Sequence, residues 1–429
     1  MFPGWKNFST ESTIRQLGED LGFVRSIGIR FDHLSAEARA VCVGFPPVPT
    51  LSSPEINAVV TETLPSNLLM QLRALELNEG GLEQLESISQ NFNAIAIRLC
   101  QTLLADINDV DDEILTMGCH GAGVWNIRDS EQRNYHELCN SSLLAETFGK
   151  TVVDDFPARD LARNGIGGPV ESHGLWMLLA DRVSNPGYRW RGLLDVAYHA
   201  TKFTMIPPLD ERSRRDATFS MDICIGHRLL GELASRVEHK PIADYAKLAT
   251  AGKVIRELAE IWRATAIGQE TAWSPKGVSA LPYLYALDQS IYKSASLDDL
   301  LATATHFIAQ QAANFVLHSV SAAHPVGELF VMGEGARTNQ LLMRSLGKSL
   351  PVIPIRKMDE LGQDRSILAA SIASLAMMNL WQIPLAPSRG GEVPRVLGRI
   401  TPGSPSNWQR VLREMDSNAP WLLPLREAI

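Results

Sequence analysis

No stretch of about 18 consecutive apolar residues occurs anywhere in the 429-residue sequence, so no segment of it is expected to span a bilayer. Its first residues, MFPGWKNFSTESTIRQLGEDLG, lack the basic-then-apolar pattern of a secretory leader. Cysteine is scarce: Cys42, Cys100, Cys119, Cys139 and Cys224 are five, an odd number spread along the chain. That pattern excludes a secreted disulfide framework and reads as reduced thiols, which makes the cytoplasm the expected compartment. Positive charge is in deficit, with 40 Lys and Arg against 48 Asp and Glu and a formal charge of -8. No run of like charge interrupts this balance, so the phosphate backbone of a nucleic acid is on the whole repelled. No internal repeat of about 20 to 50 residues is present, which removes solenoids and propellers. The remaining composition, 45% hydrophobic and 21% charged with Gly 31 and Pro 24, belongs to an ordinary globular chain. Its length fits two domains or one large α/β unit.

Several chemical signatures are missing as well. Gly149-Lys150-Thr151 and Gly347-Lys348-Ser349 each end like a P-loop, but Leu144 and Leu342 stand where the first glycine is needed to wrap phosphate. No G-x-G-x-x-G opens a helix after a strand, and no G-x-S-x-G nucleophile elbow occurs, so the Rossmann and α/β-hydrolase readings lose their main support. Cys119-His120 and His136-x-x-Cys139 do not make a zinc motif, because adjacent side chains rarely ligate together and no second C-x-x-C exists. They read instead as two buried cysteines and two unrelated histidines, with His120 on a loop where it can hydrogen-bond a substrate.

What the sequence does have is an alternation of strands and helices. Strands are expected at Arg39–Phe45, Ile114–Cys119, Thr151–Phe156, Leu193–Val196, Phe203–Ile206, Glu328–Met332 and Val352–Ile355. Helical periodicity runs from Ser66 to Ile107 with a break at Asn78-Glu79-Gly80-Gly81. It returns after Asn140, at Ile225–Val237, Ile242–Trp262, Leu297–Ser321, from Asn339, and at Ser366–Trp381. Pro384–Pro405 reads as an extended crossing before a final helical segment, NWQRVLREM. The pattern predicts an α/β protein with parallel or mixed sheets, whose ligands usually sit at the carboxyl ends of strands.

At Met117-Gly118-Cys119-His120-Gly121 and along SLLAETFGKTVVDDFPARDLARNGIGGPV, the chain resembles the anhydro-N-acetylmuramic acid kinases, members of the actin and hexokinase superfamily. That family has a G-x-H-G-Q-T loop, a helix ending L-A-E-x-T-G, a strand ending V-V-x-D-F-R-x-R-D, and a G-x-G-A-P segment. Gly118, His120, Gly121, Asp155, Phe156, Arg159, Asp160, Gly165, Gly167 and Pro169 fall in place. The resemblance resumes at GELFVMGEGARTN and PRVLGRITPG and covers about Val24 to Pro402. It implies two actin/hexokinase-like, ribonuclease H-like domains with mixed sheets flanked by helices, hinged around a central cleft. Residues 1–157 plus 396–429 would form the first lobe and 158–395 the second. It also implies ATP and Mg²⁺, an amino-sugar substrate whose 1,6-anhydro ring is opened by water as O6 is phosphorylated, and a homodimer.

The resemblance assigns Asp222, within the stretch matching F-D-x-G-P-G-N, as the base that activates water; read without it, Asp222 is an acid preceding a helix, favoured by capping and the helix dipole. His120, Gly121, Arg159 and Asp160 would contact the sugar. Gly28, Asp32, Gly226, Gly333, Gly335 and Asn339 would serve the nucleotide, with Asp32 also at the metal. The chain departs from the family where phosphate is handled. Gly28-Ile29-Arg30-Phe31-Asp32-His33 matches G-T-S-x-D-G but lacks both hydroxyls and the second glycine, and Asp195-Val196-Ala197-Tyr198 matches N-I-G-G without its glycines. Ala122, Gly123, Pro157 and Leu368 replace polar residues of the family. Two readings follow: an ATP-dependent sugar kinase, or a catalytically impaired paralogue acting as a ligand-binding or regulatory dimeric protein.

Overall fold

The computed structural model describes residues 24–49, 52–77, 79–107, 114–127, 133–182, 189–209, 218–236, 242–267, 277–318, 325–362, 365–385, 394–417, 422 and 425–426. The segment read for a leader, and 386–393 of the expected crossing, lie outside the described residues.

In chain order, β1 (Val24–Asp32), β2 (Glu37–Phe45) and β3 (Glu55–Thr63) are followed by α1 (Ser66–Glu76) and α2 (Leu82–Asp106). Next come β4 (Ile114–His120), the hairpin β5 (Gly123–Ile127) and β6 (Arg133–Glu137), α3 (Ser141–Phe148), β7 (Thr151–Asp154), α4 (Phe156–Leu161) and α5 (Glu171–Leu179). A second group holds β8 (Trp190–Val196), β9 (Thr201–Ile206), β10 (Phe219–Cys224), α6 (Arg228–Ser235), α7 (Ile242–Leu248), α8 (Arg256–Ile267), α9 (Leu281–Asp288), α10 (Leu297–His318), β11 (Val326–Met332), α11 (Glu334–Thr338), α12 (Gln340–Ser349) and β12 (Ile355–Lys357). The chain then returns with α13 (Ser366–Leu380), β13 (Arg399–Thr401) and α14 (Pro405–Met415).

The two sheets repeat one plan. The first runs β13-β7-β4-β1-β2-β3 and the second β10-β9-β8-β11-β12. In each, the opening strand pairs antiparallel with the next (β1 with β2, β8 with β9) and parallel with a later one (β1 with β4, β8 with β11). This is the expected actin/hexokinase-like, ribonuclease H-like α/β architecture, present twice.

The described residues within Met1–Pro186, Leu209–Arg215 and Ser366–Ile429 form one compact unit, and those within Gly187–Pro208 and Asp216–Arg365 another. These limits differ from the expected ones, because α5 and α13 pack with the first sheet rather than the second. Strand alternation explains the packing. Ile27, Ile29 and Phe31 of β1 enter the core with Phe92, Ile95 and Leu99 of α2, and the rings of Phe31 and Phe92 meet edge-on at 4.9 Å. On the other face, Gly28 and Gly118 bring β1 and β4 directly under α13. A Cβ on Gly28 would stand 2.0 Å from the Ala369 carbonyl oxygen, and one on Gly118 2.6 Å from that of Ile372.

Local signals account for most element ends. Asn140 caps α3, its Oδ1 accepting from the amides of Ser142 at 3.0 Å and Leu143 at 3.2 Å, and Gly149 ends the helix at φ 64°. Three expectations are corrected. The helix expected over Ile242–Trp262 is two, α7 and α8, because the chain at Gly252 passes so close to the Asp298 carbonyl that an added Cβ would stand 2.0 Å from its oxygen, and the amides of Lys253 and Ile255 donate to the Asp299 and Thr303 side chains. The helix expected from Ile225 begins at Arg228, since Gly226 and His227 belong to a turn. The strand expected at Val352–Ile355 lies at Ile355–Lys357, beyond Pro351 and Pro354, which have no amide hydrogen for a ladder.

Candidate active site

In the first unit, polar residues gather at the carboxyl ends of β1 and β4. Asp32 closes β1 and turns the chain: one carboxylate oxygen accepts from the amides of Leu34 and Ser35, both at 3.1 Å. Its other oxygen accepts from Arg30 Nη1 at 3.0 Å, and Arg30 Nε donates to Glu171 of α5 at 3.2 Å. Burial pulls the Arg30 guanidinium down, but Asp32 and Glu171 outweigh it and hold it more firmly protonated than usual. His33, next in the chain, stacks on Phe92 with ring centroids 5.6 Å apart. Gly121 follows β4 at φ 87°, and a Cβ there would stand 2.2 Å from the Phe31 carbonyl oxygen, so the two turns lie backbone to backbone. His120 sits beside them with Tyr135 and Phe156 rings at 6.0 and 6.2 Å. Burial pushes His33 and His120 down to about 4, so both are neutral at neutral pH. His33 Nε2 and His120 Nδ1 are enclosed without a hydrogen-bond partner among the described residues.

The end of β7 adds a second group. Asp154 forms a two-point ion pair with Arg399 of β13, at 3.0 and 2.8 Å. Asp155 follows in the left-handed region at φ 49°, where a non-glycine residue is strained, and burial raises its carboxyl. Asp160, in α4, accepts from the Gly167 amide at 2.8 Å and sits against Gly165, so its role is to fasten the glycine-rich segment. Arg159 points outward, donating to the Val396 carbonyl at 3.1 Å.

In the second unit, the turn between β8 and β9 meets the segment joining β10 to α6. The His227 amide donates to the Ala197 carbonyl at 3.1 Å and the Arg228 amide to that of Tyr198 at 2.7 Å. Gly226 is needed for this approach, since its Cβ would stand 2.0 Å from the Ala197 oxygen. Tyr198 leans along α6, its hydroxyl 3.0 Å from a Cβ placed on Gly231 and its ring edge-on to His199. Beyond β11, Gly333 has φ 92° and lies against Asp195, while Gly335 lies against His227. His227 is fully buried and pushed down by that burial to about 4. Asn339 caps α12 through the Leu342 amide at 3.0 Å and donates to Thr305 at 3.1 Å. Asp222, buried on β10 opposite Lys202, precedes the Gly226 turn by four residues.

A profile of the family described as Anhydro-N-acetylmuramic acid kinase matches residues 53–403. The chain belongs to the anhydro-N-acetylmuramic acid kinase family. An anhydro-N-acetylmuramic acid kinase from Nitrosospira multiformis is 27% identical over 347 residues, covering 79% of this chain and 89% of its own. One from Bordetella pertussis is 28% identical over 366 residues, covering 82% and 90%. Among solved structures, the activator of 2-hydroxyisocaproyl-CoA dehydratase from Clostridium difficile with bound ADPNP is similar with a TM-score of 0.40 and 11% identity, covering 83% of this chain and 94% of that chain.

For this member of the kinase family, the structure brings Asp32, His120 and Gly121 together in the first unit and Gly226, Gly333, Gly335 and Asn339 together in the second. Gly28 lies apart from the first turn, beneath α13, where its missing side chain is taken up by helix packing. Asn339 is fully buried and committed to α12 and Thr305. The magnesium ion that the family implies does not fit Asp32 as it stands: both carboxylate oxygens are occupied, one of them by a guanidinium. Among the described residues no group of three or more His, Cys, Asp or Glu side chains is arranged to hold a metal, and no helix is long and apolar enough to cross a membrane. Sequence reasoning passed over Arg30 and Glu171 as a pair. Arg30 shows in the sequence only as a lost hydroxyl, and Glu171, two residues past Pro169, carries no local signal because its partner is 141 residues away.

Proposed function

We propose that this chain phosphorylates 1,6-anhydro-N-acetylmuramic acid with ATP. Asp222 takes a proton from water, the water oxygen bonds to the anomeric carbon, and the bond from that carbon to O6 breaks. O6 then takes the γ-phosphoryl group, and ADP leaves. His120 and Gly121 would serve the sugar, with Asp160 holding the Gly165–Gly167 segment in place, and the glycine turns at Gly226, Gly333 and Gly335 would serve the nucleotide. The observation that carries this reading is the course of the chain from Asp222: a buried acid leads within four residues to a turn whose backbone lies directly on the β8–β9 turn, with the Tyr198 ring laid along α6. Family membership supports the same chemistry. A cytoplasmic homodimer belongs to this reading, and Leu281 and Tyr285 of α9, with Ile291 just beyond it, offer exposed apolar surface that pairing would bury.

A second reading, a catalytically impaired paralogue acting as a ligand-binding or regulatory protein, is favoured by the Arg30–Asp32–Glu171 grouping in the first turn. Incubation with ATP, Mg²⁺ and the anhydro sugar, read by mass spectrometry, decides between them. The kinase reading expects N-acetylmuramic acid 6-phosphate from the wild type and a loss of about 10² to 10⁴-fold in Asp222→Asn. A wild type without product, and without a rise in melting temperature on adding ATP, supports the second.

A further inference from the structure

Two carboxylates from distant parts of the first unit converge on one guanidinium. Arg30 Nη1 lies 3.0 Å from Asp32 Oδ2 on β1, and Arg30 Nε lies 3.2 Å from Glu171 Oε1 on α5. The side chains are mostly enclosed, with 16%, 21% and 11% of the Arg30, Asp32 and Glu171 surfaces exposed. Enclosure strengthens charge-assisted hydrogen bonds and makes an unpaired carboxylate unfavourable. The alternation of β1 fixes which way Arg30 faces: it shares the face of Gly28, toward α13 and α5, while Ile29 and Phe31 enter the core.

A divalent cation needs carboxylate oxygens with lone pairs directed at it and no other cation close by. Here the guanidinium fills that place. Asp32 Oδ1 is bound to the amides of Leu34 and Ser35, and Oδ2 to Arg30.

We infer that Arg30 is a resident cation that stands in place of a divalent metal ion at the first turn, pairing with both Asp32 and Glu171 and keeping metal off Asp32. The inference rests on the kinase reading only for the part this turn plays in the reaction. Removing the guanidinium leaves two carboxylates facing one space, which is the arrangement a divalent ion takes.

The test is uptake of Mn²⁺ alone by the full-length protein, read from the loss of the free-ion signal in electron paramagnetic resonance. The wild type is expected to take up no Mn²⁺ that depends on Asp32, so that Asp32→Asn changes nothing. Arg30→Ser is expected to gain about one ion per chain, bound at least roughly tenfold more tightly than by the wild type, and to lose it again when Asp32→Asn is added. Its melting temperature should rise with Mn²⁺ where that of the wild type does not. Uptake by the wild type that Asp32→Asn abolishes overturns the inference, as does a folded Arg30→Ser that takes up no ion. Should Arg30→Ser fail to fold, the wild-type and Asp32→Asn arms still decide. Because no arm reads turnover, absence of kinase activity leaves the result intact.

Discussion

A histidine kept neutral by burial weakens a protein in acid, and His33, His120 and His227 are in that position. His33, His120 and His227 titrate near 6.5 in the unfolded chain and near 4 when folded. Between those values the unfolded chain binds more protons, so stability is full above about 6.5 and is lost as pH falls toward about 4. His227 is fully buried and accounts for about 3 kcal/mol of that loss at most. Denaturant midpoints measured from pH 7 to pH 4 should therefore fall, and His227→Gln should flatten the slope. Glu137 runs the other way. Burial first, and then the charges of Asp154 and Asp155, push its carboxyl up to about 8 despite a hydrogen bond from the Tyr135 hydroxyl at 2.8 Å. Its burial is without penalty below about 4.5 and destabilises increasingly toward about 8. Glu137→Gln should raise the melting temperature at pH 8 and leave it unchanged at pH 4.5. Gly121 makes a backbone demand instead: with φ 87° and the Phe31 oxygen in the way, Gly121→Ala should cost about 1–3 kcal/mol in chemical denaturation.

Among the elements, α13 holds the first unit together. It is apolar all round and lies under β1, β4 and α5 through glycines rather than interlocked side chains. At Gly174 of α5 a Cβ would stand 2.0 Å from the Ser371 carbonyl oxygen. Gly174→Ala should therefore push the two helices apart and lower stability by about 1–3 kcal/mol, measured by thermal melting. Helices and buried strands of this kind were largely legible in the sequence, because a capping residue such as Asn140 or a terminal Gly149 acts within a few positions. The α7–α8 break was not, because its cause lies in the Asp298–Thr303 segment far along the chain. The hairpin β5–β6 was missed because its second strand, RNYHE, carries a single apolar residue, Tyr135, among polar ones and so shows no alternation of its own.

At the scale of the whole molecule, the family was readable from ordered motifs, and the doubled strand order in the two sheets agrees with it. The site was only partly readable. Positions such as Gly121 and Gly226 keep their family identity because backbone approach requires glycine. At Arg30 the sequence showed only a substitution, and its meaning needed Glu171 brought from a distant helix. The central claim is that Asp222 drives ring opening and phosphoryl transfer in a chain whose first turn carries its own cation. The most direct measurement is the rate of N-acetylmuramic acid 6-phosphate formation from ATP and 1,6-anhydro-N-acetylmuramic acid by the wild type and by Asp222→Asn. The account predicts product from the wild type and a rate lower by about 10² to 10⁴-fold in the variant; equal rates, or no product from either, would contradict it.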